Sequence, residues 1–532
     1  MKATWEPAKA DLEKLKARKE AVLLAPTPTS VGVLCEELYA SNLPREAVTL
    51  ALEMVQREPD NVRYLLIAAQ VLTTHVFRYD IAVALLRKIV LLEPDNLMIK
   101  ILLAQALVVN GDLAGGTALF AEIITHHPEQ RVLAALQVSQ TFLRMGYPKE
   151  ALDILLFVVQ QEPSNPYLYN AVGCALGCLN RSQDALPWYE QALNLRPDDV
   201  NFLLGYTLAL LKAKHYAKGW ELFAKRQSKL QAITKWFARL PQLDRGDALA
   251  GKTVVLYQEQ GLGDTLQFIR FASVLVEKGA RATVAVGLEI VRLLRLSCPD
   301  LDVRDVTTFG IDERFDYSLP IPTLPYVTNM RSDADIPGTV PYLRADAQDV
   351  ARFASVLPAG GPRVGLVWSG ERRTSAEDVM ANQLRSVTLE VMGGALAPVD
   401  ATLISLQFGK PREDMATWDG QLVYDPMGGV MDMADTAALI ENLDLVISVD
   451  TSVLHLAGAL GKPVWLLSRW DACWRWGDMG ETSVWYPTMR IFRPQERSFG
   501  PALACMAQAL RAWVAQWHAA HPSGQAGCVP SP

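Results

Sequence analysis

Five prolines at nearly equal intervals restrict the fold of the first part of this chain more than any other feature. Pro59, Pro94, Pro128, Pro163 and Pro197 follow one another at spacings of 35, 34, 35 and 34 residues, four of them after Glu or Arg and before Asp, Glu or Ser. A period of about 34 residues is the signature of stacked helix–turn–helix units. A small residue stands at one fixed offset before each proline: Ala47, Ala82, Gly116, Ala151 and Ala185. Such a residue lets two helices approach closely, and the proline then ends the second helix of each pair because it cannot donate the next hydrogen bond.

The unit from Pro166 to Pro197 carries Gly173, Ala185, Tyr189, Ala192 and Pro197 at matching offsets. This pattern resembles the tetratricopeptide (TPR) repeat. The array is expected over residues 27–230, after a helical lead at 1–26, with a degenerate last unit around Tyr216 to Arg226. Stacked repeats of this kind form a superhelix whose concave face takes an extended peptide or a protein partner. A purely architectural or dimerising role is the alternative. Cys174 and Cys178, one helical turn apart, read as small core residues rather than a metal pair.

At 532 residues the chain is too long for a single core. Its formal net charge of −7 leaves no basic excess to replace phosphate counterions, which argues against nucleic acid as the main partner. The lysine-rich start has no apolar signal region, and no stretch is long enough to span a membrane. Seven scattered cysteines without paired spacing fit a reducing cytoplasm. The expected location is cytoplasmic.

The helical repeat decays through a turn-rich join at 231–251. From Lys252 short apolar strands alternate with helices, the pattern of a parallel sheet with crossover helices. Thr253–Tyr257 reads as a strand that runs into Glu259-Gln260-Gly261-Leu262-Gly263-Asp264. The two glycines permit a sharp turn that leaves room above the sheet edge. Asp264, at the start of the next helix, reads either as its N-cap or as a general base that takes a proton from an acceptor hydroxyl.

A second alternation restarts at Arg363. Its strand Asp444–Val449 delivers Asp450, Thr451 and Ser452 to the first turn of another helix. Free N–H groups, the positive end of the helix dipole and two hydroxyls suit a diphosphate there. Asp450 reads as a helix cap or an acceptor for sugar hydroxyls. His455, one turn on, reads as a donor-side imidazole or as a core histidine. Ser369 and Gly370 end another strand, and Arg372, Arg373, Arg385 and Lys410 are the candidate cations for a leaving diphosphate. Trp465, Trp470, Trp474, Trp476 and Trp485 crowd one stretch, where packing between lobes is the expected use.

An array of TPR type followed by EQGLGDTLQF and later ISVDTSVLHLAGALGKPVW resembles bacterial TPR-containing glycosyltransferases whose catalytic half is similar to the family-nine heptosyltransferases. In layout it is more distantly similar to the O-linked N-acetylglucosamine transferases. The resemblance implies a TPR superhelix followed by a two-lobed GT-B unit, two Rossmann-like parallel sheets facing a cleft. The acceptor lobe is expected at 252–350, the nucleotide-sugar lobe at 351–518 and a disordered tail at 519–532. It implies Asp264 as base, with Gln260, Gly261 and Gly263 in the acceptor-side loop. Asp450, Thr451, Ser452 and His455 become the donor site, with no cofactor and no obligatory metal. Relatives carry a Gly-Asn-Pro-His-like loop where this chain has Ser369-Gly370-Glu371-Arg372-Arg373-Thr374, and only Leu384-Arg385-Ser386 keeps the later pattern. The expected function is inverting transfer from a nucleotide sugar to a protein or saccharide acceptor. The alternative is a non-catalytic TPR scaffold with a degenerate transferase half.

Overall fold

The computed structural model describes residues 9–226, 234–310, 312–370, 382 and 384–521. By contact density the chain divides into two compact units, Met1–Ala175 and Leu176–Pro532. The division falls inside the repeat array, so the last repeat helices belong to the second unit.

The first unit is helical: α1 (Lys9–Leu24), α2 (Pro28–Ala40), α3 (Pro44–Arg57), α4 (Val62–Thr74), α5 (Tyr79–Leu92), α6 (Leu97–Val109), α7 (Leu113–His126), α8 (Arg131–Met145), α9 (Pro148–Gln161) and most of α10 (Pro166–Cys178). α3, α5, α7 and α9 each stop two residues before a repeat proline. Where the turn reads Pro-Asp-Asn, the asparagine caps the next helix: Asn61 accepts from the Arg63 and Tyr64 amides and Asn96 from that of Ile99. The small residues are the close-packing points. Ala47, Ala82 and Ala151 are fully buried. A Cβ on Gly116 would lie 2.6 Å from Val108 Cγ2 and 3.0 Å from the Ala104 carbonyl, so no larger residue fits that crossing.

The second unit opens with the end of the array, α11 (Ser182–Leu195), α12 (Val200–Lys212) and α13 (Tyr216–Ala224). It continues as β1 (Thr253–Tyr257), α14 (Leu262–Phe268), α15 (Ala272–Glu277), β2 (Arg281–Val286), α16 (Leu288–Ser297), β3 (Asp302–Asp305), β4 (Tyr317–Pro320), α17 (Leu324–Val327) and α18 (Ala347–Val356). Then follow β5 (Arg363–Val367), α19 (Leu389–Leu396), β6 (Thr402–Ser405), β7 (Val423–Tyr424), α20 (Met433–Glu441), β8 (Leu445–Ser448), α21 (Ser452–Ala459), β9 (Val464–Leu467), β10 (Met489–Phe492) and α22 (Gly500–Ala520). The two expected α/β sheets are present. One has order β3-β2-β1-β4, the other β10-β9-β8-β5-β6-β7, and all the named pairings are parallel.

Strand order places the ligand-binding edges. In the first sheet β2 and β3 lie to one side of β1 and β4 to the other, so connections diverge at β1. In the second they diverge between β5 and β8. Crevices at such switch points, at the carboxyl ends of the strands, are where open α/β sheets bind ligands.

The join between array and sheets is packed. Phe237 is 1 % exposed and stacks on Tyr257 at 5.4 Å, and Gln242 pairs with Ser318 beside β4. Trp220 and Phe223 of α13 share one buried cluster with β1, α14 and the Trp474–Trp476 turn. Lys212, 8 % exposed, donates to the Gly177 carbonyl and to Asn180 Oδ1 and faces Asp478, which also accepts from Ser182. Arg226 makes a buried ion pair with Glu259 in the turn after β1, and it donates to Thr323 Oγ1 at 3.1 Å. The two lobes are tied by Arg270, whose guanidinium donates to the carbonyls of Pro337, Gly338 and Trp485. No helix among the described residues is long and apolar enough to cross a membrane.

Candidate functional site

The turn after β1 leads directly into α14. Gly261 is the N-cap residue, extended at φ −66° and ψ 165°, and Asp264 is the third residue of the helix. The reading of Asp264 as a cap is therefore corrected, because its carboxylate leaves the helix and pairs with the guanidinium of Arg475. Neither Gly261 nor Gly263 has positive φ. At Gly263 the need is a close approach, since a Cβ there would lie 2.8 Å from His455 Cδ2. Gln260 and Gly261 are exposed at the tip of the turn.

That approach brings the two strand–helix turns together, for α14 packs on α21. Thr451 is the N-cap residue of α21, but its hydroxyl lies 3.2 Å from Ser448 Oγ and makes no capping bond. Asp450 does not cap either. Its Oδ2 accepts a hydrogen bond from the Trp476 indole at 2.9 Å. Among the described residues no hydrogen bond engages the hydroxyl of Ser452, which is half-buried in the first turn.

His455 is 4 % exposed. Its Nδ1 shares a hydrogen bond with the Tyr486 hydroxyl at 2.8 Å, its Nε2 lies 3.8 Å from Asp450 Oδ1, and its ring stacks on Trp476. Burial pushes the imidazole down to about 4. Asp450 and Asp264 oppose that shift and Arg475 adds to it. At neutral pH this histidine carries no charge and resists protonation, so it can accept a hydrogen bond or orient a neighbour but is not a ready acid or base.

Arg475 is the residue that sequence reading missed. Its side chain is 14 % exposed and that of Asp264 is 15 %. Nε donates to Gln267 Oε1 at 2.7 Å, Nη1 to Cys473 Sγ at 3.3 Å, and the guanidinium lies over the Trp474 ring at 4.5 Å. Burial works against the charge, but the neighbouring Asp264, Cys473 and Asp450 outweigh it, and the group is held more firmly cationic than a free arginine. The signal was present as Trp474-Arg475-Trp476. A lone charge between two large aromatics, in a stretch rich in tryptophan, needs an internal partner. The expected packing role of Trp474 and Trp485 is visible in their contacts with Phe268 of α14.

The other donor-side candidates form a separate group at the end of β5, next to β8 in the sheet. Ser369 is buried. Its amide donates to Gln407 Oε1 at 3.0 Å and its hydroxyl to the Gly370 carbonyl at 2.8 Å, so the side chain serves the turn itself. Gln407 also accepts from the Trp368 amide and donates to the Ser369 and Phe408 carbonyls, fixing the ends of β5 and β6. Gly370 accommodates Arg385, whose Nη2 would lie 2.7 Å from a Cβ at that position. Lys410 is exposed beyond β6, and no contact joins it to Asp264, Asp450 or His455. Arg372 and Arg373 lie outside the described residues, as does the tail from Pro522. No cluster of metal-ligating side chains occurs among the described residues.

Comparison with known proteins gives this arrangement a family context. The pattern of glycosyltransferase family 9 (heptosyltransferase) matches residues 424–467, the span from β7 through α21 to β9 that holds Asp450, Thr451, Ser452 and His455. Protein FlbA of Caulobacter vibrioides is 24 % identical over 465 residues, covering 75 % of this chain and 76 % of that protein. Solved structures with similarity include the MamA protein, at 15 % identity, 32 % of this chain, 92 % of that chain and a TM-score of 0.26. A TPR protein from Parabacteroides merdae is also 15 % identical and covers 41 % of this chain and 87 % of that one, with a TM-score of 0.30. YrrB, a TPR protein with an unusual peptide-binding site, is 16 % identical over 36 % of this chain and 97 % of that one, with a TM-score of 0.25. The helical repeats are of TPR type, and over residues 424–467 the chain is similar to glycosyltransferase family 9 (heptosyltransferase).

Proposed function

We propose that the second unit is a GT-B glycosyltransferase that moves a sugar from a nucleotide-sugar donor to an acceptor hydroxyl with inversion, in one displacement and without a covalent intermediate. The observation that carries this reading is the meeting of α14 and α21. It sets the Asp264 turn of one sheet against the Asp450–Ser452 turn of the other, each at its sheet's switch point. Asp264 accepts the proton of the acceptor hydroxyl as it attacks the sugar carbon. Thr451, Ser452 and the free N–H groups of the first turn of α21 receive the departing diphosphate, with Arg372, Arg373 or Arg385 as further charge compensation. His455, neutral and fixed by Tyr486, orients this wall. The array supports a protein or peptide acceptor chosen outside the catalytic half; a saccharide acceptor is the other class. A cytoplasmic setting belongs to the same proposal.

Calorimetry against a panel of nucleotide sugars, followed by turnover with the donor that binds, tests this directly. Asp264→Asn is expected to abolish turnover while donor binding persists, and wild-type-like turnover in that variant removes the base assignment. One observation favours a second reading, a non-catalytic array-bearing protein: the proposed base is engaged by Arg475. A purified full chain that binds no nucleotide sugar decides for that reading.

A further inference from the structure

The Asp264–Arg475 contact stands in the way of the proposed chemistry, yet the same corner holds a group with nothing to bind. Gln267 is fully buried, its Oε1 is taken by Arg475 Nε, and its Nε2 has no hydrogen-bond partner among the described residues. A buried amide N–H without an acceptor is costly, and native structures rarely keep one without a use. Beside it is a guanidinium with five donors, which uses Nε on Gln267, Nη1 on the weak acceptor Cys473 Sγ and Nη2 on Asp264. Trp474, stacked on Phe268 and packed edge-on against Trp220, backs the guanidinium, and the Trp485 indole donates to the Arg475 carbonyl. Arg475 is also tethered to the start of α21, because the next residue, Trp476, donates to Asp450 and stacks on His455.

We propose that Arg475 and Gln267 form an oxyanion subsite for the diphosphate of the donor, and that Asp264 occupies it when no donor is bound. This rests on the transferase reading above. Phosphate oxygens reaching the guanidinium compete with the carboxylate, because two anions cannot share one buried cation without repulsion. They also supply the acceptor that Gln267 Nε2 lacks. Displaced from Arg475, the Asp264 carboxylate is free for the acceptor hydroxyl. The base therefore becomes available only after the donor has arrived, and the two substrates bind in that order. No bond is made or broken in this hand-over. It also accounts for a permanent buried cation beside two carboxylates, Asp264 and Asp450, where an unpaired diphosphate would otherwise be repelled.

The test is calorimetry of the full chain with inorganic diphosphate, without added divalent cation. Asp264→Asn keeps the size of the side chain and a carbonyl oxygen for Arg475 but removes the competing charge, so it is expected to bind diphosphate about tenfold tighter than wild type. Arg475→Gln is expected to bind about tenfold more weakly. The double variant should fall to the Arg475→Gln level. Asp264→Asn binding no tighter than wild type overturns the hand-over, and it does so even if Arg475→Gln fails to fold. In that case the transferase reading survives, since wild type still binds. Absence of binding by folded wild-type protein defeats both.

Discussion

Trp220 is where the last repeat helix meets the two-sheet half, and its removal has a calculable cost. The side chain is 1 % exposed and makes three edge-to-face contacts, with Phe223 at 5.4 Å, Phe268 at 5.7 Å and Trp474 at 5.6 Å. Trp220→Ala deletes the largest buried side chain at this junction. Loss of transfer energy plus the cavity left behind is expected to cost about 3–5 kcal/mol. Trp220→Phe behaves differently for a reason specific to this site. The indole Nε1 is buried without a partner, so phenylalanine gives up ring area but also removes an unsatisfied donor, and the net cost is about 1 kcal/mol. Urea or thermal unfolding of the full chain, followed by tryptophan fluorescence, reads both. Turnover reads the consequence for Trp474 and hence Arg475: it should fall in the alanine variant by more than the loss of folded protein explains, and persist in the phenylalanine variant. A cost below about 1 kcal/mol for Trp220→Ala would refute the reasoning, because α13 would then be an attached helix rather than part of the core of the two-sheet half.

Two further outcomes follow from the same geometry. The imidazole of His455 is pushed down to about 4 by burial, so between its unfolded value near 6.5 and that figure the unfolded chain binds a proton that the folded one refuses. Stability is therefore complete above pH 6.5 and falls by up to about 3 kcal/mol as the pH drops to 4; denaturation across this window should flatten in His455→Gln, and an unchanged slope counts against the assignment. Truncation is the other. Removing residues 1–161 leaves the second unit whole from α10 onward and is expected to keep the chain soluble and competent for donor binding. Removing 1–230 strips Trp220 and Phe223 from Trp474 and leaves Glu259, Asp333 and Asp478 without Arg226, Lys214 and Lys212, so aggregation is expected. Soluble yield and calorimetry of the two truncations side by side separate these outcomes.

The repeats and the strands were legible in the sequence because each is written in local terms. A proline two residues past a helix end, an asparagine at the next cap and an alanine at the crossing all act within a few positions of where they stand. Thr253–Tyr257 was readable to the residue, and Asp444–Val449 differs only at its ends from the observed β8, since apolar runs bounded by turn residues mark a buried strand wherever it pairs. The composition of the candidate site was partly legible for the same reason: Asp264, Asp450, Thr451 and His455 all sit at strand–helix junctions.

What those residues touch was decided by contacts that no local pattern contains. Asp264 and Arg475 are 211 residues apart in sequence, and their pairing depends on a turn that only the packing of Trp474 against Phe268 and Trp220 brings back to α14. Asp450 became a partner of Trp476 rather than a cap, and Gly263 the point where α14 closely approaches His455. Strand order had the largest effect. The sequence by itself determined that β1, β5 and β8 exist, but which strands flank them is a matter of long-range pairing. Only that order makes their carboxyl ends switch points and sets the two turns face to face.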